Sequence, residues 1–541
     1  MKESYFKKIF ISIIVILVLL AIYICVFKGN IKTLEASKLK FNKKDIIISN
    51  DLRIGIIEFD TINPILSNNK NVQDISRLIF DPLFTLTKEY KLEGVLAKEC
   101  SKIDDRTYII KLNENINWHD GNKFDSLDVV FTIEMLKKLK ENSIYYQNIK
   151  DISQVKAIDE DTLKIITSSD IPYFEYHLIF PIISSKYFNE NNLKQESKNI
   201  KPVGTGMFYI SDVNNDNVLL NKNTSNLRAK DLKIETIRLN LYDSLNKSIE
   251  AFKTEKIDIF TTANMNIEEY LKNIPYNLKE YINRNYCYIS LNCNSKVLSN
   301  KEVRQAINYA INKEEVLKNV FKDKYRLSNF PLDFGSYVYD INNEIIDYDD
   351  NIGKNILIQN GWKYTNKKWI KNNNLKIELD MIVNKKDNNL VKVAEDIQEQ
   401  LRKVGIIINV IQASEKEYNN YLKNKKYELI IVDSVYGYSP SLEKYFGENN
   451  LANYTNKEIS ALLKDAELSI SDKESREEYS KITKIYNEEV PYISLYYNTN
   501  TMLYSSNLRG TISPNSYNLF YELETWYREY EKWKIKNIIK K

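Results

Sequence analysis

The chain has 541 residues, which is too many for one small core and enough for two or more domains. Its 77 basic and 73 acidic side chains give a net charge of +4, and this near balance excludes the strongly basic class of nucleic-acid-binding proteins. A hydrophobic fraction of 43% with 12% aromatic residues predicts a folded globular body rather than a disordered chain.

The sequence is poor in the residue types that build metal sites and nucleophilic triads. Only two histidines are present, His119 and His177, and four cysteines. Cys287 and Cys293 are separated on an extended stretch by about 20 Å, so we expect them to be unbridged. Neither a G-x-S-x-G elbow nor an H-E-x-x-H motif occurs. We therefore expect no catalytic residues, no metal, no cofactor and no enzymatic activity.

The N-terminus carries a membrane signal. Residues 9–27 form an apolar run of 19 residues interrupted only by Ser12, and about 20 such residues span a bilayer. Lysines precede the run, which favours a cytoplasmic N-terminus and a main body outside the cell. We expect residues 1–28 to be a cytoplasmic stub and single-pass anchor in the cell membrane, followed by a linker at 29–50. A lipid anchor at Cys25 and cleavage as a signal peptide are the alternatives, although bulky Ile24 precedes Cys25 and no A-x-A site is present.

The first half of the exported chain alternates short strands and helices. Residues 52–59 predict a buried strand and residues 60–69 a turn-rich loop. Asp120-Gly121 is a tight-turn signal, and it makes His119 a turn residue rather than a metal ligand. Asp125 predicts a helix N-cap. Residues 234–241 read as a strand and residues 246–252 as a helix.

Residues 286–321, YCYISLNCNSKVLSNKEVRQAINYAINKEEVLKNVF, predict a strand, a loop and two helices. Ser299 and Glu302 have the spacing of a capping box for the first helix. Asn312 predicts the N-cap of the second helix, with Glu315 at its third position.

The second half predicts a β-α-β-α-β unit. Strict alternation at 375–383 indicates a strand, residues 389–404 a helix stopped by Gly405, and residues 406–411 a second strand. A helix at 415–422 and an apolar strand at 427–432 follow. Such a unit needs parallel strands, whose carboxyl ends face the ligand in open α/β sheets. The loop 433–440, DSVYGYSP, is therefore predicted to lie at a cleft.

Several motifs then suggest a family. The segment 303–311, VRQAINYAI, together with the segment 118–121, WHDG, and the turn 204–206, GTG, stands in the order found in extracellular solute-binding proteins of the oligopeptide/dipeptide/nickel ABC importer family (family 5). The chain resembles these proteins over about 52–510. The G-x-G pair lacks a third glycine and a Walker lysine, so it does not indicate a phosphate site.

The resemblance implies a fold and its domains. The expected fold is α/β, two-lobed and periplasmic-binding-protein-like, of the cluster C type with an extra subdomain in the first lobe, after one N-terminal transmembrane helix. Lobe I would cover 51–285, with the extra subdomain at about 71–200. Lobe II would cover 286–504, and residues 505–541 would return to lobe I.

The resemblance also implies a ligand loop. In peptide-binding members this loop reads "G-W-x-A-D-Y-P-D-P", and its aspartate pairs with the amino terminus of the peptide. Here Gly437 replaces the aspartate, while Tyr438 keeps the aromatic position. We expect Tyr436 and Tyr438 to wall the pocket and Asp433 to act as a substitute anion. The alternative is that Asp433 merely ends its strand. Asn63 in the first-lobe loop is a further candidate.

The implied function is that of a monomeric, membrane-anchored receptor. It would deliver a peptide or related small solute to the permease and ATPase subunits of an ABC transporter by lobe closure. The loss of the loop aspartate at Gly437 keeps a second interpretation open, a non-transport receptor or a signalling or scaffold protein on the same fold.

Overall fold

The computed structural model describes residues 45–340, 347–372, 375–435 and 437–532. The predicted anchor and nearly all of the predicted linker lie outside the described residues. Within the described ranges, no helix combines the length and hydropathy needed to cross a bilayer. The chain forms two compact units, residues 1–49 with 529–541, and residues 50–528. In the first of these the structure describes strand β1 (Asp45–Ser49) and residues 529–532.

The first half of the larger unit consists of strands interrupted by short helices. Its elements are β2 (Asp51–Ile57), α1 (Lys70–Ile79), β3 (Phe84–Leu86), β4 (Leu92–Gly94), β5 (Ala97–Asp104), β6 (Thr107–Leu112), α2 (Ser126–Leu139), α3 (Tyr146–Ile149), β7 (Ile152–Ala157), β8 (Thr162–Thr167), α4 (Glu196–Ile200), β9 (Phe208–Val213), β10 (Asn217–Lys222), β11 (Thr236–Tyr242), α5 (Leu245–Lys253), β12 (Ile259–Thr262) and α6 (Ile267–Tyr270).

The second half begins with the longest strand and is richer in helix. Its elements are β13 (Tyr276–Leu291), α7 (Lys301–Ala310), α8 (Lys313–Phe321), β14 (Arg326–Leu327), α9 (Asp350–Gln359), β15 (Lys363–Thr365), β16 (Lys368–Lys371), β17 (Leu375–Lys376), β18 (Glu378–Asn384), α10 (Asn388–Lys403), β19 (Ile407–Ala413), α11 (Glu415–Asn424), β20 (Leu429–Val435), α12 (Glu443–Phe446), α13 (Lys457–Leu468), α14 (Asp472–Glu489), β21 (Tyr492–Ser505), β22 (Leu508–Arg509) and β23 (Tyr527–Lys532). Short 3₁₀ turns occupy Lys140–Asn142, Phe174–Leu178, Leu227–Ala229 and Leu523–Thr525.

One sheet runs through the whole larger unit, in the order β19-β18-β20-β13-β21-β12-β2-β11-β10-β9, with β14 beside β21. β18 is parallel to both β19 and β20, which confirms the predicted β-α-β-α-β unit. β2 is parallel to β11 at the other end of the sheet. A separate four-stranded antiparallel sheet, β5-β6-β8-β7, is built from the chain between β4 and α4.

The two ends of the sheet are joined by β13 and β21, and this gives the molecule its two lobes. Residues 276–282 of β13 pair with the part of β21 that adjoins β12, and residues 286–290 pair with the part that enters the second lobe. The register breaks between Ile282 and Tyr286. Arg284 lies in this break with a φ of 79°, a left-handed conformation unusual for a residue other than glycine. The change of lobe therefore occurs at a bulge shared by two long strands.

The second lobe buries both faces of its sheet. Because side chains alternate along a strand, Cys287 and Ile289 enter one core and Tyr286 and Tyr288 enter another. This two-sided burial explains why the segment YCYISLN is almost continuously apolar.

Most of the predicted helix ends are confirmed, and one is wrong. The Asp125 side chain caps α2 in a reciprocal capping box with Asp128, and Asn312 caps α8 through the amide of Glu315. The predicted capping box of Ser299 and Glu302 does not form. α7 starts one residue later, after Asn300, because Glu302 is drawn to Lys371, with Nζ 3.0 Å from its Oε1.

Candidate functional site

The loop after β20 reaches the first lobe through Tyr438. Its hydroxyl donates a hydrogen bond to the backbone oxygen of Ser516 at 2.8 Å, and its ring centroid lies 5.1 Å from that of Tyr517 and 5.9 Å from that of Tyr90. Tyr90 and Tyr517 belong to the same hydrophobic core as β2. The strand polarity of the β-α-β-α-β unit thus places this loop between the lobes, as the sequence predicts.

Arg284 joins the same contact from the crossing strand. Its guanidinium carbon lies 4.1 Å from the ring centroid of Tyr438 and 5.3 Å from that of Tyr90, and Nη1 is 3.4 Å from Oδ2 of Asp333. The side chain of Arg284 is only 5% exposed. A buried cation needs compensation, and here two ring faces and one carboxylate supply it. This arrangement fastens the lobes together beside the crossing strands.

Asp433 lies at the end of β20 directly opposite Cys287, in an environment that suits a neutral acid better than an anion. Its Oδ1 atom is buried without a hydrogen-bond partner among the described residues. Burial, and secondarily the charge of Asp387, raise the pKa of Asp433 to about 6. Such a carboxylate could receive a cation, and it also fits a strand end, so both interpretations of Asp433 stay open.

The other predicted site residues are placed as follows. Asn63 is fully buried, and its amide is used inside the first lobe, with Nδ2 donating to Asn199 at 2.7 Å and Oδ1 accepting from the amide of Ile65 at 3.2 Å. Gly437 is exposed, with open space where a Cβ would be. Tyr436 lies outside the described residues. Their roles in ligand binding stay predictions.

His119 and the G-T-G turn form a structural unit. His119 Nε2 lies 3.0 Å from the oxygen of Gly206, and Nδ1 accepts from the amide of Gly204 at 3.3 Å. Burial lowers the pKa of His119, which favours the neutral ring. A Cβ on Gly204 would lie 1.9 Å from the carbonyl oxygen of Ile79, so both glycines serve close packing against α1. In the described ranges no group of three or more potential ligand side chains is arranged to hold a metal ion.

A crevice of about 890 Å³ separates the four-stranded sheet of the first lobe from the second lobe. The first-lobe side is formed by the β5–β6 hairpin and the segment 170–175, and the second-lobe side by residues 441–448 and α13. Its apolar lining consists of Ile103, Ile171, Pro172, Phe174, Leu442, Phe446, Leu463 and Leu468. This volume falls in the range of small-ligand pockets, about 300–1,000 Å³.

Of the five residues proposed from the sequence, the four that the structure describes, Asn63, Asp433, Gly437 and Tyr438, do not line this crevice. Its walls come from segments such as IPYFEY (171–176) and KEISALLKDAEL (457–468), which contain none of the predicted site residues. A pattern that would have pointed to them is a net negative charge beside apolar residues, with one acid and no base in IPYFEY and three acids and two lysines in KEISALLKDAEL.

A second cavity of about 590 Å³ lies against the crossing strands and is lined by Tyr281, Thr499 and the segment 323–327. Lys324, one of its lining residues, pairs through Nζ with Glu268 at 2.9 Å. Its smaller volume and its position beside the bulge make it a less suitable solute site than the crevice.

Comparison with known proteins decides the family. Residues 91–456 match the model of bacterial extracellular solute-binding proteins, family 5. The chain belongs to this family. Among curated relatives, the oligopeptide-binding protein AppA of Bacillus subtilis (strain 168) is 24% identical over 547 residues, covering 96% of this chain and 99% of that protein.

Solved structures show the same fold in other family members. HbpA2 from Haemophilus parasuis superimposes with a TM-score of 0.74 at 19% identity, covering 89% of this chain and 100% of that one. AppA from Bacillus subtilis in complex with a nonapeptide superimposes with a TM-score of 0.57 at 21% identity, covering 88% and 98%. These likenesses confirm the predicted two-lobe α/β fold.

Proposed function

We propose that this family member is a solute receptor that delivers a peptide or related small solute to an ABC permease and its ATPase. The observation that carries the proposal is the crevice of about 890 Å³ between the two lobes, which in the described part of the chain are joined by the long paired strands β13 and β21. Such a geometry lets a solute be enclosed by rotation of one lobe against the other. The names of the relatives, an oligopeptide-binding protein among them, support a peptide as the solute class.

In the proposed function the receptor binds and releases its solute without catalysing a reaction. The crevice lining offers carboxylates, lysines, hydroxyls and apolar side chains, and it includes no histidine or cysteine. We infer that the solute leaves the receptor unchanged and that the protein is not an enzyme. The four-stranded sheet β5-β6-β8-β7 would be the extra subdomain of a cluster C receptor, since it forms one wall of the crevice.

The location of the receptor belongs to the same proposal. The apolar run at residues 9–27 would hold a single copy of the chain in the cell membrane, with the body outside. The mass of the mature protein distinguishes this anchor from its alternatives. A chain that begins at Cys25 with added lipid, or one shortened by cleavage, would overturn it.

A direct test uses the full chain in lipid nanodiscs and a library of di- to nonapeptides. We expect one or more peptides to raise the melting temperature and to be recovered intact, because ligand binding to the folded state alone stabilises it. Absence of binding by every peptide, or conversion of a bound peptide, would overturn the proposal.

A matched pair of variants places the binding site. Ser460 lines the crevice on α13, and Ala461 is the next, exposed residue of the same helix and does not line it. Ser460→Trp fills the crevice and should weaken peptide binding by about tenfold or more, which is 1.4 kcal/mol. Ala461→Trp should leave the affinity unchanged. Equal affinities for both variants would place the peptide elsewhere.

A further inference from the structure

We propose that the interlobe crevice selects cationic peptides, with lysine or arginine side chains lying between the two lobes. The proposal rests on the proposed receptor function and names the solute class of the same site. Three features of the crevice support it: the charges of the lining residues, the distribution of those charges over both lobes, and the apolar side chains beside them.

The crevice is acidic in a chain whose net charge is positive. Its lining contains three lysines, Lys102, Lys457 and Lys464, and seven carboxylates, Asp104, Asp105, Asp170, Glu175, Glu443, Glu448 and Glu467. Only the pair of Lys102 and Asp170, at 2.8 Å, forms an ion pair among these described residues. With a chain net charge of +4, the local excess of acid is a property of this surface. A concave acidic wall focuses its field on a positive solute.

Two of the carboxylates, Glu175 and Glu467, belong to opposite sides of the crevice. Glu175 follows the first-lobe segment at 171–174, and Glu467 lies near the end of α13 in the second lobe. Burial raises the pKa of the half-buried Glu175, and the charge of Glu467 raises it further. The like charges of Glu175 and Glu467 therefore repel each other across the crevice unless a cation lies between them. A lysine or arginine of the solute would remove this repulsion, so its binding favours closure.

The apolar part of the lining suits the stem of a long basic side chain. Ile103 on the β5–β6 hairpin is 62% exposed, and Leu468 at the end of α13 is 68% exposed, and both line the crevice. Lysine and arginine side chains lay their methylene groups along such surfaces while the charged head reaches a carboxylate. The volume of about 890 Å³ limits the occupant to a short peptide segment.

The test compares peptides of one length and different charge on the full chain in nanodiscs of neutral lipid. Pentalysine, pentaserine and pentaglutamate are titrated by calorimetry at about 0.02 M and about 0.3 M salt, where the screening length differs several-fold. We expect pentalysine to bind most tightly and to lose affinity at the higher salt concentration. Tighter binding of pentaserine or pentaglutamate would overturn the proposal.

Two matched charge-neutralising variants test whether the affinity for pentalysine comes from the crevice. Glu467→Gln should weaken pentalysine binding about three- to tenfold, since it removes one charge of the lining. Asp465→Asn makes the same charge change two residues earlier on α13, at an exposed residue outside the crevice, and should have no effect beyond about 1.5-fold. Equal losses in both variants would reveal attraction to the general surface and overturn the proposal.

The failures of the two proposals are distinguishable. If members of the di- to nonapeptide library bind and Ser460→Trp abolishes their binding, but the charge of the peptide does not change its affinity, only the proposed preference for cationic peptides fails. If no peptide binds at all, the receptor function itself fails.

Discussion

Asp258 is the clearest buried charge in the first lobe. Its side chain is 1% exposed and accepts hydrogen bonds from Arg53, with Nη2 2.7 Å from Oδ1 and Nε 3.0 Å from Oδ2, while Arg528 Nε lies 3.1 Å from Oδ1. The Asp258 carboxylate thus pairs with Arg53 of β2 and Arg528 of β23, and Arg528 also pairs with Asp51 at 2.6 Å. Breaking such a pair on one side leaves uncompensated buried charge.

We predict that Asp258→Ala lowers the free energy of unfolding by about 3–5 kcal/mol. The control is Asp243→Ala, which removes an exposed pair with Lys247 and should leave the free energy of unfolding nearly unchanged. Both values follow from denaturant titrations of the full chain in detergent. A loss for Asp258→Ala no larger than that of the control would contradict the buried network.

Asp433 gives a prediction that depends on pH. Its folded-state pKa of about 6 lies above the unfolded value near 3.9, so folding binds a proton between these two values. The ionised carboxylate therefore destabilises the folded chain at neutral pH, and this cost disappears as the pH falls below about 4. We predict that Asp433→Asn is more stable than the natural chain at pH 7.5 by up to about 3 kcal/mol, and no more stable at pH 4.

Thermal unfolding of the natural chain and of Asp433→Asn at both pH values checks this expectation, because the comparison cancels the titration of other groups. A constant difference between the two proteins from pH 4 to pH 7.5 would show that Asp433 ionises normally. It would also show that the burial of Asp433 does not disfavour its ionised form.

At the scale of the element, helix α10 ends at the position that the sequence predicts. Gly405 follows the helix with a φ of 82°, and a Cβ there would lie 2.3 Å from Cε2 of Tyr364. We predict that Gly405→Ala destabilises the chain by about 1–3 kcal/mol through left-handed strain and this close contact. The control is Gly437→Ala, where a Cβ meets no atom closer than 3.9 Å. Melting temperatures compare the two, and equal values would show that the α10 terminus tolerates a side chain.

Elements with a strong local signal were predictable from the sequence. Gly405, Asp125 and Asn312 mark helix ends through their own backbone or side-chain preferences, and the β-α-β-α-β unit follows from apolar periodicity. The length of β13 was not predictable, because residues 276–285 are largely polar, and residues 276–282 pair with a part of β21 that is more than 200 residues away in the sequence. Ser299 failed as a cap because a tertiary partner, Lys371, binds Glu302.

Part of the candidate site was also predictable from the sequence, and part was not. The position of Tyr438 between the lobes followed from strand polarity, which is a topological rule. The crevice did not follow, since it joins segments such as 170–175 and 457–468 that lie far apart along the chain. The exposed fractions of Ile103 and Leu468 are likewise set by tertiary packing and have no signature in the sequence.

At the scale of the whole molecule, the lobes are held together by a small set of contacts beyond the crossing strands. The amide of Tyr337 donates to the oxygen of Glu89 at 2.9 Å, and Lys91 pairs with Asp472 at 2.7 Å on the surface. An exposed pair of this kind contributes about 0–1 kcal/mol. The buried contact of Tyr438 with Ser516, Tyr517, Tyr90 and Arg284 is therefore the stronger fastening.

We predict that Tyr438→Ala shifts the chain toward an open arrangement of the lobes. The variant loses one hydrogen bond worth about 1 kcal/mol, together with ring–ring and cation–π contacts worth about 0.5–2 kcal/mol each. Their sum of about 2.5–7 kcal/mol changes the ratio of closed to open molecules by roughly 70-fold or more. Small-angle scattering of the full chain in detergent should show a larger radius of gyration for the variant.

The comparison for this prediction is Tyr270→Ala, because Tyr270 is a tyrosine of the first lobe that is half exposed and lies away from the Tyr438 contact. Its radius of gyration should equal that of the natural chain. If Tyr438→Ala also matches the natural chain, then β13 and β21 alone fix the lobe angle, and closure around a solute cannot depend on the loop after β20. If the variant opens and a bound peptide closes it again, the loop acts as a fastening that the solute can replace, which is the behaviour a receptor of this fold requires.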